Sequence, residues 1–297
     1  MTAPREVLPN TTYLITRRCS ERRFFLKPLQ IVTQAFGYLV AVVAGRYGIQ
    51  VHAACVLSNH YHLVITDPKA ALPHFVQELN GSLARFLNRL YRRKESVFPP
   101  GSYSAVELAD EESVLEGSAY VLANPAMAAL VVQARQWPGL WSAPEEIGGA
   151  PRTFERPKLF FDPKGAMPAV ATLRFTVPRG FEREPFRKAL TERVEARERV
   201  AAEVLKAAKR KPLGVRKIMA QSPNGRPTAE DKPSGRKNGF SAANKAVAEA
   251  VRERRKAFQD AYRAALHAFQ DGKRWTRFPL GTFLMRVHLM VACAAAG

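Results

Sequence analysis

His60, Tyr61 and His62 lie together in an apolar run, residues 60–66, that reads as a strand. Side chains alternate along a strand, so His60 and His62 face one way while Tyr61, Leu63 and Ile65 face the other. Two imidazoles about 7 Å apart along such a strand can converge on one metal ion. The triplet alone is weak evidence and suits two packed histidines better than a metal site. A second group lies further along. Tyr120 and Asn124 are four residues apart in a helical stretch and share a face, with Glu116 one turn earlier. Asn124 precedes Pro125, and a residue before proline is biased away from helical geometry. The helix is therefore expected to end or kink there, leaving the amide free to turn inward. A phenol, an amide oxygen and two imidazoles suit metal-assisted phosphoryl transfer to tyrosine. The same residues also read as a half-buried packing tyrosine and an ordinary helix stop.

Positioning these groups requires a sheet and several helices. Residues 11–16 read as a strand, followed by the basic run Arg17, Arg18, Arg22 and Arg23. Residues 28–46 form an apolar stretch long enough for a buried helix. Residues 51–57 and 60–66 are strand-like runs separated by Ser58-Asn59, two polar turn residues that predict a tight hairpin. In that register Leu57 lies opposite His60 and Cys55 opposite His62. Cys55 then forms a small apolar wall beside the histidines, and His52 falls on the other face. Phe75, Leu79, Leu83, Phe86, Leu87 and Leu90 recur at helical spacing over 72–91. Residues 102–108 alternate, and Asp110, Glu111 and Glu112 favour a helix start. The order predicts an α+β class, a ferredoxin-like antiparallel sheet with helices on one face. His74, His267 and His288 lack ligand-like neighbours.

The 297 residues carry a net charge of +20, unevenly placed. Residues 1–150 hold 14 Lys and Arg against 12 Asp and Glu, leaving 32 against 14 for the rest, an excess of 18. Such a field attracts polyanions, nucleic acid first among them, although a solvated basic face has the same composition. Pro and Gly dominate residues 142–168, so the chain divides into a layer over 1–149, a linker over 150–168 and a basic, mainly helical C-terminal extension over 169–297. Arg216, Lys217, Arg236 and Lys237 in the extension's irregular stretch, and Arg252, Arg254, Arg255 and Lys256 on its last long helix, are candidate DNA contacts with Arg17, Arg18, Arg22 and Arg23. Much of the electrostatic affinity is expected in the extension, so that a chain ending near Gly149 loses tight binding. The three cysteines, Cys19, Cys55 and Cys293, have no zinc spacing and fit a reducing compartment. The N-terminus lacks the apolar core of a signal peptide, and the apolar stretch 35–44 falls short of the roughly 20 residues of a membrane span. These features predict a cytoplasmic protein with no membrane association.

Residues 57–65, Leu-Ser-Asn-His-Tyr-His-Leu-Val-Ile, resemble the P-N-H-hydrophobic-H-L-L strand of HUH single-tyrosine transposases. Residues 120–131, Tyr-Val-Leu-Ala-Asn-Pro-Ala-Met-Ala-Ala-Leu-Val, resemble the Y-I-x-x-N-P-V-R-A-G-L-V helix of the REP-associated tyrosine transposase branch. The strand from Tyr13 to Arg18 and the pair Trp141-Ser142 fit as well. The resemblance covers roughly residues 8–145 in the same order, and more loosely the tail from Leu213 through Phe283. Ser58 stands where the family has proline, and Ala126-Met127-Ala128-Ala129 replaces V-R-A-G, losing an arginine and a glycine beside the site.

The resemblance implies that His60, His62 and Asn124 bind Mg²⁺ or Mn²⁺. It also implies that Tyr120 attacks a backbone phosphate of single-stranded or hairpin DNA, giving a 5′-phosphotyrosine and a free 3′-OH. It implies a DNA transposase with no small-molecule substrate, acting as a monomer or a homodimer. Free tyrosine, with a pKa near ~10, is a poor nucleophile at neutral pH, and a metal on the scissile phosphate offsets this. Two alternatives stay open: a catalytically silent DNA- or RNA-binding protein on the same fold, and an HUH replication or mobilisation initiator.

Overall fold

The computed structural model describes residues 4–100, 103–228 and 239–294. The first half builds the expected α+β layer from β1 (Thr11–Arg18), α1 (Gln30–Tyr47), β2 (Gln50–Leu57), β3 (His60–Asp67), α2 (Leu72–Tyr91) and β4 (Ser104–Leu108). The strands run antiparallel in the order β2-β3-β1-β4, the ferredoxin-like arrangement. The Ser58-Asn59 turn sets Leu57 opposite His60 and Cys55 opposite His62.

Tyr61, Leu63 and Ile65 point to the face covered by α1 and α2. There the Tyr61 hydroxyl donates to Asn80 Oδ1 at 2.8 Å, and its ring meets Phe36 edge-on at 5.1 Å. A further helix, α3 (Glu111–Met127), lies on the opposite face against β2, β3 and β4, so helices flank both sides of the sheet instead of one. The reason is visible in the strands. From Val51 to Leu57 and from Tyr61 to Asp67 every residue is buried, and a strand apolar on both faces needs cover on both.

Asp110 caps α3 by accepting from Ser113 N–H at 2.8 Å. The helix does not end at Asn124. It continues through Pro125 to Met127, with Ala128 N–H bonded to the Asn124 carbonyl at 2.9 Å. Pro125 falls in the last turn, where the missing donor costs one helix bond instead of breaking a ladder. Asn124 thus keeps helical spacing from Tyr120.

His52 is the second departure. A bulge between Val51 and Ala53 inserts one residue into β2, which reverses the facing of side chains before it. His52 therefore lies on the same sheet face as His62, fully buried between the Thr176 carbonyl (Nδ1, 2.8 Å) and Thr66 Oγ1 (Nε2, 2.8 Å).

The Pro- and Gly-rich stretch after Gly149 leads into a two-stranded arm, β5 (Arg152–Glu155) and β6 (Val170–Leu173), packed on α1. The Phe154 ring sits over Gly37 so closely that a Cβ there would penetrate it. Gly37→Ala is therefore expected to destabilise the protein by about 1–3 kcal/mol through overpacking, more than the ~1 kcal/mol that alanine gains in a helix interior. Urea midpoints measure this, with Phe154→Ala in the same chain removing most of the penalty. A midpoint raised by Gly37→Ala alone would show that the arm does not press on α1.

The extension adds α4 (Arg183–Ala207), α5 (Val215–Ala220), β7 (Phe240–Ser241), α6 (Lys245–Gln270) and α7 (Leu284–Leu289). It is not a separate body. Phe186, Leu190 and Val194 of α4 enter the same hydrophobic core as the sheet, and β7 pairs parallel with β4, making the sheet mixed. A chain ending near Gly149 would uncover that core. A small second cluster joins Ala265, Phe278 and Val291. Among the described residues no helix is long and apolar enough to cross a membrane.

Candidate active site

The site occupies the α3 face of β3. The His60 and His62 rings stand perpendicular, centroids 4.8 Å apart. The Tyr120 ring meets His62 edge-on at 5.3 Å, and Asn124 Nδ2 lies 3.3 Å from His62 Nε2. One strand and one helix thus bring all four candidate groups together. Tyr120 is 41% exposed, and its hydroxyl has no hydrogen-bond partner among the described residues. That is unlike a packing tyrosine such as Tyr61.

Neighbours fix the imidazole tautomers. Asn59 Nδ2 donates to the Arg22 carbonyl, which turns its Oδ1 to His60 Nδ1 at 2.6 Å. An amide oxygen only accepts, so His60 Nδ1 carries the proton and Nε2 the lone pair. His62 Nε2 faces an Asn124 N–H, so its proton also sits on Nδ1, which donates to Thr16 Oγ1 at 2.8 Å. Burial, then Arg18, lowers the His60 pKa to about 4. Burial, then His60 and Arg18, holds His62 well below its ordinary value. Both are neutral at neutral pH, the form that ligates metal.

His52, fully buried, is also lowered to about 4 by burial. In the unfolded chain these histidines titrate near ~6.5, so between there and pH 4 the unfolded state binds protons that the folded state does not. Stability is therefore expected to be complete above pH 6.5 and to fall with pH, by up to about 1.4 kcal/mol per unit for each buried histidine. Urea midpoints at pH 7 and 5, where most carboxylates remain ionised, test this. A flat profile would contradict the buried, neutral histidines.

Glu116 does not join the cluster. It turns to α4, pairing with Arg193 Nε at 2.8 Å and with Arg197. Cys55 is fully buried opposite His62, its thiol pKa raised by burial, and it forms an apolar wall. His74 stacks on Tyr47, His267 pairs with Asp271, and His288 is exposed.

The basic candidates separate. Arg17 is buried on the α1/α2 face, over Phe98 at 5.3 Å, donating to the Pro99 carbonyl. Arg254 bridges Glu6 and Glu107 at 2.9 and 2.7 Å, tying α6 to the sheet. Arg23 is held by Glu21 and the Asn224 carbonyl. Arg18, opposite His60, and Arg22 line a cleft beside the histidines. Arg216, Lys217 and Lys256 are exposed, while Arg252 and Arg255 flank the Phe240 ring at 5.7 Å. Arg236 and Lys237 lie outside the described residues. Sequence reasoning missed Thr16 and the orienting role of Asn59. Strand register would have identified Thr16, since it lies directly opposite His62.

The donor set fits a divalent cation in part. Among the described residues no three His, Cys, Asp or Glu side chains cluster to hold an ion. His60, His62 and Asn124 instead offer two neutral imidazoles with their Nδ1 atoms already engaged, plus an amide at contact distance. Engaged outer nitrogens are the usual orientation of metal-binding histidines.

A ferredoxin-like layer with paired histidines on an inner strand and a tyrosine helix across them defines the class to compare. Residues 8–123 match the profile of the family described as transposase IS200-like. That span holds His60, His62 and Tyr120 and ends one residue before Asn124. Over that span the chain is similar to IS200-like transposases. Among solved structures it is similar to a REP-associated tyrosine transposase bound to a REP hairpin (17% identity, 47% of this chain and 81% of that one, TM-score 0.41). It is also similar to a candidate transposase from Deinococcus radiodurans R1 (19% identity, 38% and 89%, TM-score 0.30). The chain matches no curated protein.

Proposed function

We propose that this protein is a DNA strand transferase of the REP-associated tyrosine branch, cleaving and rejoining single-stranded or hairpin DNA through Tyr120. The observation that carries the reading is the exposed Tyr120 hydroxyl, without a partner among the described residues, on a ring packed against His62, with Asn124 on the same imidazole. The Tyr120 oxygen attacks a backbone phosphorus as the bond to the 3′ oxygen breaks. The phenolic proton passes to water, the departing 3′ oxygen takes one up, and a 5′-phosphotyrosine remains. Attack by a 3′-OH reverses the step without ATP, because the phosphotyrosine keeps the ester bond. His60, His62 and Asn124 would hold Mg²⁺ or Mn²⁺. When bound, the ion supplies charge neutralisation at the phosphate. Thr16 and Asn59 engage the Nδ1 protons, which leaves the Nε2 lone pairs for the ion, that of His62 once Asn124 turns its amide oxygen in place of its N–H, and Arg18 adds positive charge beside them.

A labelled hairpin oligonucleotide incubated with the protein and Mn²⁺, then resolved on a denaturing gel, tests the proposal. A metal-dependent protein–DNA adduct is the expected result. Binding without any adduct would favour the catalytically silent reading, and a requirement for an origin-like site would favour an initiator.

A further inference from the structure

The extension walls a second compartment beside the histidines. After α4 the chain returns to the turn that follows α3, where Leu213 and Gly214 N–H groups donate to the Ala129 and Leu130 carbonyls, both at 2.9 Å. Further on it meets the loop after β1, where Phe24 N–H donates to the Gly225 carbonyl at 3.0 Å and Arg23 to that of Asn224 at 2.8 Å. Tied at both ends, this strap leaves a cleft of about 500 Å³ facing the β2–β3 turn. His60 lines the cleft and is also half of the histidine pair.

The lining is strongly basic. Arg18 and Arg22 come from the catalytic layer, and Arg210, Lys211 and Arg226 from the strap. No lining residue among those described is acidic. The three strap cations are exposed and make no ion pair among the described residues. Phe24 adds an aromatic ring to the same wall.

We propose that this cleft seats the single-stranded DNA flanking the scissile phosphate, with Arg210, Lys211 and Arg226 on backbone phosphates and Phe24 as a platform for a base. Single-strand sites combine these two elements, a basic groove and an aromatic face. The proposal rests on the strand-cleavage reading. It goes further by making the extension, outside the family-matched residues, part of the substrate site.

The test uses the full chain in EDTA, so that binding is read without turnover. A fluorescein-labelled single-stranded 12-mer is titrated by anisotropy at several salt concentrations. Arg210→Glu, Lys211→Glu and Arg226→Glu together are expected to weaken binding at least about tenfold. They should also reduce the slope of log K against log salt by about 2, at roughly 0.7 per phosphate contact for single strands. The glutamine versions give a smaller loss in the same direction, and the thermal midpoint, measured alongside, stays within about 2 °C because exposed side chains away from packing change stability little. Lys158→Glu with Lys164→Glu, on the β5–β6 arm, serves as the control and changes affinity less than about twofold, as expected of charges outside the contact. Equal weakening by both sets, or wild-type affinity in the strap variant, overturns the cleft. A wild-type protein that loses binding on strap reversal yet never forms an adduct upholds the cleft and sinks strand transfer. One that binds no single-stranded DNA overturns both.

Discussion

Tyr120→Phe is expected to abolish the covalent DNA adduct while leaving DNA binding within about twofold and folding stability within about 0.5 kcal/mol. The substitution removes one oxygen, and that oxygen has no partner among the described residues, so no buried group is left unsatisfied. The ring, which packs on His62, is retained. Loss of an enzymic nucleophile commonly costs about 10⁴ to 10⁶ in rate, so adduct should disappear from a denaturing gel entirely. Binding should survive because the positive charge lies elsewhere, in residues 151–297, which carry an excess of 18. A denaturation-resistant adduct formed by Tyr120→Phe would assign the nucleophile to another residue. Loss of binding together with cleavage would mean that the ring and hydroxyl act in recognition.

The second large effect is expected at the histidines, and the two positions should differ. His60 is partly exposed and its ring engages only the neighbouring Asn59 side chain by hydrogen bond, so His60→Ala should fold normally. His62 is buried between Thr16 and Asn124, so His62→Ala strands both partners and should cost about 1–3 kcal/mol of stability. Both variants are expected to lower nicking by at least about 10²-fold, as removal of a preorganised electrostatic group does. Metal binding supplies an independent readout. Mn²⁺ at a hundred times its Kd stabilises a folded protein by about 2.7 kcal/mol, so it should raise the wild-type thermal midpoint and leave those of both variants unmoved. Wild-type nicking that proceeds undiminished in EDTA would rule out the metal role for these side chains.

Much of this site was legible in the residue order because local rules govern its parts. The two-residue Ser58-Asn59 turn sets the hairpin register, and strand alternation then puts Cys55, His60 and His62 on one face. Spacing of four along a helix sets Tyr120 above Asn124, and the apolar stripe from Phe75 to Leu90 marks α2, expected over 72–91 and found there. Local rules failed where one residue of irregularity reversed them. The bulge at His52 put that side chain on the face opposite to the one alternation implies. Pro125 sits near enough to the end of α3 for the helix to pass through it.

Charge was the least legible property. The sequence by itself determined how many cations the extension carries and that the whole must attract polyanions. It could not tell Arg254, neutralised by Glu6 and Glu107 nearly 250 and 150 residues away, from Arg226, which lines a cleft. Nor could it tell Arg17, buried over Phe98, from its neighbour Arg18 beside His60. An arginine's type specifies a charge and a reach, and only the packed chain decides whether a carboxylate, a ring or open space meets it. The strap's return to the histidines is decided the same way. Its backbone bonds join residues more than 80 apart, and no periodicity or turn signal encodes such a meeting. Side-chain alternation and helical spacing are properties of a few consecutive residues, whereas the site's walls, its ion pairs and the helix on the sheet's second face arise from burying apolar surface across the whole fold.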